Sequence, residues 1–184
     1  MASTTSPEPT RRDFIYVATA SAAAVGAAAA AWPLIDQMNP SASVLALSSV
    51  EIDITSVQEG QQMVAMWRSK PIFIRRRTKK EIDEAKAVPL SALPDPLARN
   101  ANLPDSADAS DKNREVKPEW LVLIGICTHL GCIPLNNQGE FGGYLCPCHG
   151  SQYDTAGRIR KGPAPENLPV PPYSFLSDTK IKIG

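Results

Sequence analysis

The sequence predicts a mainly β protein, an antiparallel β-sandwich or barrel, preceded by a single N-terminal transmembrane helix. Two observations support this fold class. Residues 50–184 contain many short apolar runs separated by turns rich in glycine and proline, a pattern typical of antiparallel sheets. Residues 14–35 contain no charged side chain and are rich in alanine. The 184-residue chain is therefore expected to form one globular domain with an N-terminal appendage.

The overall charge of the chain gives no indication of a nucleic-acid or acidic partner. Its 19 lysines and arginines balance its 19 aspartates and glutamates, so the formal net charge is zero. Proteins that bind nucleic acid nonspecifically carry an excess of positive charge, usually concentrated on one surface. Binding to nucleic acid is therefore not expected.

Residues 1–13 are predicted to form a cytoplasmic N-terminus that carries a twin-arginine export signal. Arg11 and Arg12 stand directly before the apolar stretch, the position in which such a signal occurs. The same pair would also serve as the positively charged cytoplasmic flank of a membrane span. Both interpretations place the N-terminus in the cytoplasm and the bulk of the chain on the other side of the membrane.

Residues 14–35 are predicted to be a transmembrane anchor. These 22 residues would extend about 33 Å as a helix, enough to cross the hydrocarbon core of a bilayer. The many alanines make the stretch only weakly hydrophobic, and they also offer cleavage sites of the kind found in signal peptides. The length favours an uncleaved anchor, with a cleaved signal peptide as the alternative.

Residues 36–49 are predicted to be a flexible hinge. The segment is small and polar around Pro40, and it becomes apolar just before the first predicted strand. A dozen extended residues could reach about 40 Å. The segment could act as a passive tether, or as a hinge that lets the following domain move.

The first half of the globular part is predicted to contain three strands and one short helix. The strands are expected at residues 50–54, 62–67 and 71–74, and the basic run 75–77 is interpreted as a solvent-exposed strand end. Thr78 and Glu81 have the spacing of a capping box, which predicts a helix ending near Lys86. Residues 88–117, with several prolines and aspartates, are expected to form a loop.

The second half is predicted to be built from short strands alone. A buried strand is expected at residues 119–126, followed by strands at 141–145, 159–161, 168–175 and 180–183. The sequence thus predicts a β domain over residues 50–184. A small β subdomain, about residues 120–171, is expected to be inserted in it.

Every cysteine and histidine of the chain lies in one of two short loops. Residues 127–132 read C-T-H-L-G-C and residues 146–151 read C-P-C-H-G-S. A zinc site and a two-iron cluster each need four ligands, so six candidates leave two over. If both histidines bind metal, each loop supplies one histidine and one cysteine, and the spare cysteines can pair in an oxidising compartment. Mixed thiolate and imidazole ligation of a metal centre is therefore predicted.

The two loops resemble the ligand boxes of Rieske [2Fe–2S] proteins at every position. The surrounding sequence is similar to that of the iron–sulfur subunit of ubiquinol–cytochrome c reductase, notably at residues 141–143, 153–154 and 157–168. The resemblance covers nearly the whole chain. It implies a Rieske head with a cluster-binding subdomain and one [2Fe–2S] cluster.

The resemblance also implies a role for each ligand-type side chain. It makes Cys127 and Cys146 the ligands of the buried iron. It makes His129 and His149 the ligands of the outer iron, and it pairs Cys132 with Cys148 in a disulfide. Quinol would contact His149.

Four further residues around the cluster are implied by the same resemblance. Ser151 and Tyr153 resemble hydroxyl donors that hydrogen-bond a cluster sulfide and the Cys127 sulfur. Such donors stabilise the reduced state and raise the reduction potential. Pro163 and Pro165 lie in a segment that resembles the loop covering the cluster.

The implied function is that of the electron-transfer subunit of the respiratory quinol–cytochrome c reductase, inactive alone. It would take an electron, and through His149 a proton, from ubiquinol and pass the electron to a membrane-bound c-type cytochrome, contributing to the proton-motive force. The expected partners are cytochrome b, that cytochrome and the lipid bilayer through residues 14–35, within a dimeric complex. The expected location is the bacterial inner membrane, crossed once, with the head in the periplasm.

Three other functions were compared with this one. A small Rieske subunit of another exported oxidoreductase, similar to arsenite oxidase, would share the export signal and the disulfide. A soluble Rieske ferredoxin generally lacks equivalents of Cys132 and Cys148 and needs no anchor. A zinc ribbon would leave two cysteines without a role, and it favours C-x-x-C pairs.

Overall fold

The computed structural model describes residues 9–42, residue 44 and residues 48–184. The chain divides into two compact units, residues 1–46 and residues 47–184. Part of the predicted hinge, namely residues 43 and 45–47, and residues 1–8 of the predicted N-terminal segment lie outside the described residues.

The first unit contains one long helix, α1, which spans Arg11–Asp36. Thr10 begins it with a capping box: its hydroxyl accepts the Asp13 N–H, and the Asp13 carboxylate accepts the Thr10 N–H. Pro33 lies inside the last turn. Within the described ranges α1 is the one helix that is long and apolar enough to cross a membrane, and all of its residues are exposed.

The second unit is built from three antiparallel sheets. The first sheet has the order β1-β10-β9, the second β2-β3-β4, and the third β5-β6-β7-β8. The strands of the first sheet are β1 (Val50–Asp53), β9 (Tyr173–Ser177) and β10 (Lys180–Ile183). Those of the second are β2 (Gln62–Trp67), β3 (Lys70–Arg76) and β4 (Trp120–Ile124). Those of the third are β5 (Leu135–Asn136), β6 (Gly142–Leu145), β7 (Gln152–Asp154) and β8 (Ile159–Lys161).

The core of the second unit contains the buried side chains of the second sheet. β3 pairs with β2 on one side and with β4 on the other, so it is the central strand. Ile72 and Ile74 of β3, and Leu121 and Leu123 of β4, are fully buried. Branched apolar side chains favour strands, which explains why these runs form the centre of the domain.

Helix α2 spans Lys79–Ala87 and begins at the predicted capping box. The Thr78 hydroxyl accepts the Glu81 N–H at 3.2 Å, and Glu81 Oε2 accepts the Thr78 N–H at 2.8 Å. Two 3₁₀ turns, Leu90–Ala92 and Asp111–Asn113, interrupt the loop predicted at residues 88–117.

The prediction that residues 75–77 form a solvent-exposed strand end is wrong for two of the three arginines. Arg75 is buried and paired with Glu81 of α2, and Arg77 is buried and donates to Asp111 Oδ1 at 2.6 Å. Only Arg76 is exposed. Carboxylates brought by α2 and by the second 3₁₀ turn supply the partners that buried guanidinium groups require.

Other predictions need correction at strand ends. Residues 168–172, predicted as part of a strand, are not strand, because three prolines in this stretch cannot donate to a sheet. β5 and β7, of two and three residues, were not predicted. The three sheets form no closed barrel within residues 48–184.

The third sheet consists of β5 to β8 and does not include β4. β4 pairs with β3, so residues 120–124 belong to the second sheet, and the third begins at Leu135. Gly143 in β6 allows β7 to approach, since a Cβ there would lie 2.1 Å from the Asp154 carbonyl oxygen.

Candidate metal centre

The first ligand loop, residues 127–132, follows β4 after two residues and closes on itself. The Gly131 N–H donates to the Cys127 carbonyl at 2.9 Å, and the Cys127 N–H donates to the Cys132 carbonyl at 2.8 Å. Gly131 has φ +82°, a conformation that glycine adopts without strain. The local sequence thus turns the loop back so that its first and last residues lie side by side.

The second ligand loop, residues 146–151, joins β6 to β7 and repeats this pattern. The Gly150 N–H donates to the Cys146 carbonyl at 3.0 Å, and the Cys146 N–H donates to the Ser151 carbonyl at 2.8 Å. Gly150 has φ +76°. Each loop therefore uses a cysteine followed four residues later by a glycine to form the same turn.

The four side chains predicted to bind metal differ in exposure. Cys127 and Cys146 are buried, with 1% and 2% exposed, and both are free thiols. His149 is exposed and His129 is partly buried. The two rings are perpendicular, with centroids 4.7 Å apart. The thiols therefore lie on the inner side of the site and the imidazoles on the outer side.

The remaining two cysteines join the loops. Cys132 and Cys148 form a disulfide, as the resemblance implies. Their Sγ atoms lie with that of Cys146 in a group whose members are all within 4.8 Å of one another. This trio is not a ligand set, because the two sulfurs of the disulfide carry no thiolate charge.

The Tyr153 hydroxyl contacts the first ligand loop. It lies 3.3 Å from Cys127 Sγ and accepts the Thr128 N–H at 3.4 Å. Burial, reinforced by the Cys127 thiol, raises the pKa of Tyr153 well above its usual range. The hydroxyl therefore keeps its proton and can donate it to a sulfur.

The hydroxyl of Ser151 contacts the segment predicted to cover the cluster. Ser151 is fully buried, and its Oγ accepts the Ala164 N–H at 3.1 Å. Ala164 is buried between the exposed Pro163 and Pro165. Because Oγ is already an acceptor for Ala164, the hydroxyl proton remains available for another partner.

The surroundings of the two free thiols shift their pKa values in opposite directions. Burial raises the pKa of the Cys127 thiol, but hydrogen bonds from Tyr153, the His129 N–H and other neighbours outweigh it and lower the pKa overall. Burial, together with the adjacent Cys127 thiol, raises the pKa of Cys146. Cys127 thus gives up its proton first, and two thiolates in contact need a cation to compensate their charge.

The residues present fit a metal centre with thiolate and imidazole ligands. His129 Nδ1 is buried and has no hydrogen-bond partner among the described residues. A buried polar atom without a partner costs free energy unless a ligand satisfies it. The donor set of two buried thiols and two imidazoles is the one that a Rieske [2Fe–2S] cluster uses.

Thr128 has a part in the site that the sequence did not suggest, although it lies inside the first box. Its hydroxyl donates to the Glu166 carbonyl at 2.7 Å and accepts the Glu166 N–H at 3.3 Å. The first ligand loop is thereby joined to the segment that follows Pro165. A threonine between two predicted ligands carries no signal of this contact, because its partner is 38 residues away.

Comparisons with known proteins agree with this geometry. Residues 1–41 match the family described as "Ubiquitinol-cytochrome C reductase Fe-S subunit TAT signal", and residues 101–172 match "Rieske [2Fe-2S] domain". Both matches rest on the sequence alone, so they are independent of the geometry described above.

Named relatives cover almost the whole chain. The ubiquinol–cytochrome c reductase iron–sulfur subunit of Bradyrhizobium diazoefficiens is 57% identical over 177 residues, which cover 96% of this chain and 95% of the relative. That of Blastochloris viridis is 57% identical over 185 residues, covering 100% of this chain and 98% of the relative.

A solved structure is also similar to this chain over most of its length. A chain of a hyperthermophilic respiratory Complex III is 27% identical, with a TM-score of 0.52, over 91% of this chain and 98% of that chain. The Rieske domain implies a [2Fe–2S] cluster. The chain belongs to the family of Rieske iron–sulfur subunits of ubiquinol–cytochrome c reductase.

Proposed function

We propose that the cluster is held by Cys127 and Cys146 on its buried side and by His129 and His149 on its exposed side. The observation that carries this proposal is that the two ligand loops hold two buried free thiols and a buried His129 Nδ1 with no hydrogen-bond partner among the described residues. The burial of the thiols and the exposure of His149 support the division into an inner and an outer pair.

The disulfide and the two hydroxyls would act on the cluster without binding iron. The Cys132–Cys148 bridge would hold the ligand loops at a fixed separation, and it restrains the unfolded chain because its ends are 16 positions apart. Tyr153 would donate to Cys127 Sγ, and Ser151 would donate to a cluster sulfide. When bound, the cluster supplies a centre that takes and gives one electron at a time.

His149 is the proposed contact for quinol. An imidazole that gives one ring nitrogen to a metal keeps the other for a hydrogen bond, and His149 is exposed. Once that second nitrogen has lost its own proton, it can accept the proton of a quinol hydroxyl. Leu130 in the first loop and Ile133 beside it are exposed apolar side chains, which suit contact with an apolar ring or with an apolar partner surface.

The N-terminal unit is proposed to anchor the protein in the bacterial inner membrane. The span would be residues 14–35, within α1, with residues 1–13 in the cytoplasm and the head over residues 50–184 in the periplasm. The length and apolar character of α1 and the twin-arginine match support this orientation. Residues 36–49 would act as the hinge, and about 120–171 as the cluster-binding part.

The proposed partners follow from membership of the complex. They are cytochrome b, the cytochrome c1 subunit as electron acceptor, ubiquinol as donor and a second copy of the complex. The names of the relatives and of the solved complex support them. In this arrangement the chain would contribute to the proton-motive force only within the assembled complex.

Purification of the tagged full chain from detergent-solubilised native membranes tests this function. We expect b- and c-type haem proteins to co-purify, and the preparation to reduce cytochrome c with quinol. Cys127→Ser should abolish turnover, whereas Lys161→Gln, a change in an exposed ion pair with Glu140, should leave it unchanged. Purification without haem proteins, or turnover that survives Cys127→Ser, would refute the proposal.

A further inference from the structure

The segment of residues 163–168 is held from two sides. On the side of the ligand loops, Ser151 accepts from Ala164, and Thr128 bonds both the N–H and the carbonyl of Glu166. On the opposite side the segment contacts residues 95–99, a loop far away in the sequence that the function described above does not use. The contacts on that side consist of charged and amide groups.

Asp95 lies at the centre of this second set of contacts. It is 3% exposed, and its Oδ2 accepts both the Asn167 N–H and Arg99 Nε at 2.9 Å. Burial raises the pKa of the Asp95 carboxyl, but the bonds from Arg99 and Asn167 more than offset this and lower it overall. Asp95 is therefore an ionised carboxylate that binds the end of the segment directly.

Arg99 adds two more contacts to the same segment and its continuation. Its Nη1 lies 3.2 Å from Glu166 Oε1, and its carbonyl oxygen accepts the Val170 N–H at 2.8 Å. Arg99 also has φ +49°, a conformation unusual for a residue with a side chain. Such a conformation costs free energy and persists where several contacts hold it, often beside functional sites.

Asn167 completes the connection through its side-chain amide. The amide is buried, donates to the carbonyls of Asp95 and Leu97, and accepts the Ile159 N–H at 2.8 Å. These three hydrogen bonds of the amide are therefore directed at either β8 or the 95–99 loop. Residues 95–99 thus fix the end of the segment whose beginning orients Ser151.

We propose that Asp95 and Arg99 are positioning residues for the metal centre: they form a clamp that fixes residues 163–168 and, through the Ala164 N–H, the hydroxyl of Ser151. The clamp acts on the reduction potential through the position of that hydroxyl and through the cover that the segment gives to the site. This consequence rests on the proposed function, in which Ser151 donates to the cluster. The clamp itself does not depend on that assignment.

The first test measures backbone hydrogen exchange in the purified complex containing the full chain. Asp95→Asn and Arg99→Gln should each increase the exchange rate of the amides of Ala164, Glu166 and Asn167 by roughly tenfold or more, because a bond to a charged group is lost. Lys79→Gln, which removes a charge from an exposed ion pair with Asp83, should leave this segment unchanged.

The second test uses the sign of the shift in midpoint potential. If the two side chains acted only through their charges, Arg99→Gln would lower the potential and Asp95→Asn would raise it, because the electron is negative. A clamp predicts a lower potential in both variants, since each loosens Ser151. Glu166→Gln, which removes a negative charge from the clamp, should also lower it.

Two results would overturn the inference. One is exchange at the amides of residues 164, 166 and 167 that matches the control. The other is potential shifts of opposite sign for Asp95→Asn and Arg99→Gln. If Asp95→Asn fails to fold, Glu166→Gln takes its place, because it also removes a negative charge whereas Arg99→Gln removes a positive one. A wild-type complex without a cluster would refute the proposed function instead, while the exchange experiment would still test the clamp.

Discussion

At the residue scale, the chemistry of this protein depends on a few side chains whose environments differ sharply. Cys127 and Cys146 are buried as free thiols, and two hydroxyls, Tyr153 and Ser151, lie next to the ligand loops. Those hydroxyls keep their protons and can donate to sulfur. A donor to sulfur stabilises added negative charge, and it therefore favours the reduced state.

Ser151→Ala and Tyr153→Phe should each lower the midpoint potential while the cluster is retained. If the two hydroxyls act on different sulfurs, as proposed, the shifts in the double variant should be roughly additive. Redox titration followed by EPR measures this. Tyr144→Phe removes a buried hydroxyl that donates to Gln62, and it serves as the control with an unchanged potential. Wild-type potentials in both single variants would contradict the assignment.

Glu115 gives a prediction about pH and stability. Burial, reinforced by Asp111 and partly offset by Arg77, raises the pKa of Glu115 from 4.5 to about 6. A raised pKa means that the folded state prefers the neutral acid. The stability that protonated Glu115 contributes to the folded state is present below pH 4.5 and is lost as the pH rises through about 6.

Glu115→Gln should therefore unfold at a higher urea concentration than wild type at pH 7, and the difference should shrink as the pH falls toward 5. Urea unfolding of the full chain in detergent, followed by tryptophan fluorescence, measures it. Glu59→Gln removes the same charge from an exposed position and is the control. A difference that does not change with pH would show that ionisation of Glu115 is not responsible.

At the scale of elements, local sequence rules explain the helices better than the strand ends. The Thr78–Glu81 capping box correctly predicted where α2 begins, because capping depends on residues three apart. β5 and β7 were not predicted, because two or three residues carry little periodicity, although β8, of the same length as β7, was predicted. The burial of Arg75 and Arg77 depends on carboxylates that only the fold brings near.

Thr78→Ala should destabilise the head by about 1 kcal/mol, because α2 loses the side chain that accepts the Glu81 N–H. Thr78→Ser keeps the hydroxyl and should remain close to wild type. Chemical denaturation of the three proteins at one pH measures the difference. Equal stability of the alanine and serine variants would mean that the cap contributes nothing.

At the scale of the whole molecule, the metal centre was predictable because its ligands lie in two contiguous boxes. All six ligand-type side chains could be located without knowledge of the fold, and the family resemblance implied a role for each; of these roles the structure shows the Cys132–Cys148 disulfide. The clamp of Asp95 and Arg99 could not, since it meets residues 163–168 across about 70 positions of sequence and follows no motif. Contacts that position a site come from tertiary structure, whereas ligands are visible in the sequence.

The division into two units leads to a prediction about the segment between them. Added prolines within residues 39–47 should slow quinol–cytochrome c turnover, because proline restricts the backbone through which the head would move. The EPR signal and the potential should stay as in wild type. Steady-state turnover measures the effect. Wild-type turnover would mean that the segment is only a tether.

The central claim is that two thiolates and two imidazoles hold a [2Fe–2S] cluster in this chain, and EPR of the reduced protein tests it most directly. Protein from its native membrane should contain two irons per chain and give a spectrum whose average g lies below that of all-cysteine [2Fe–2S] clusters, because histidine ligates one iron. Replacing Cys127, His129, Cys146 or His149 should abolish the signal. Stoichiometric zinc without iron, or an average g typical of four-cysteine ligation, would contradict the account.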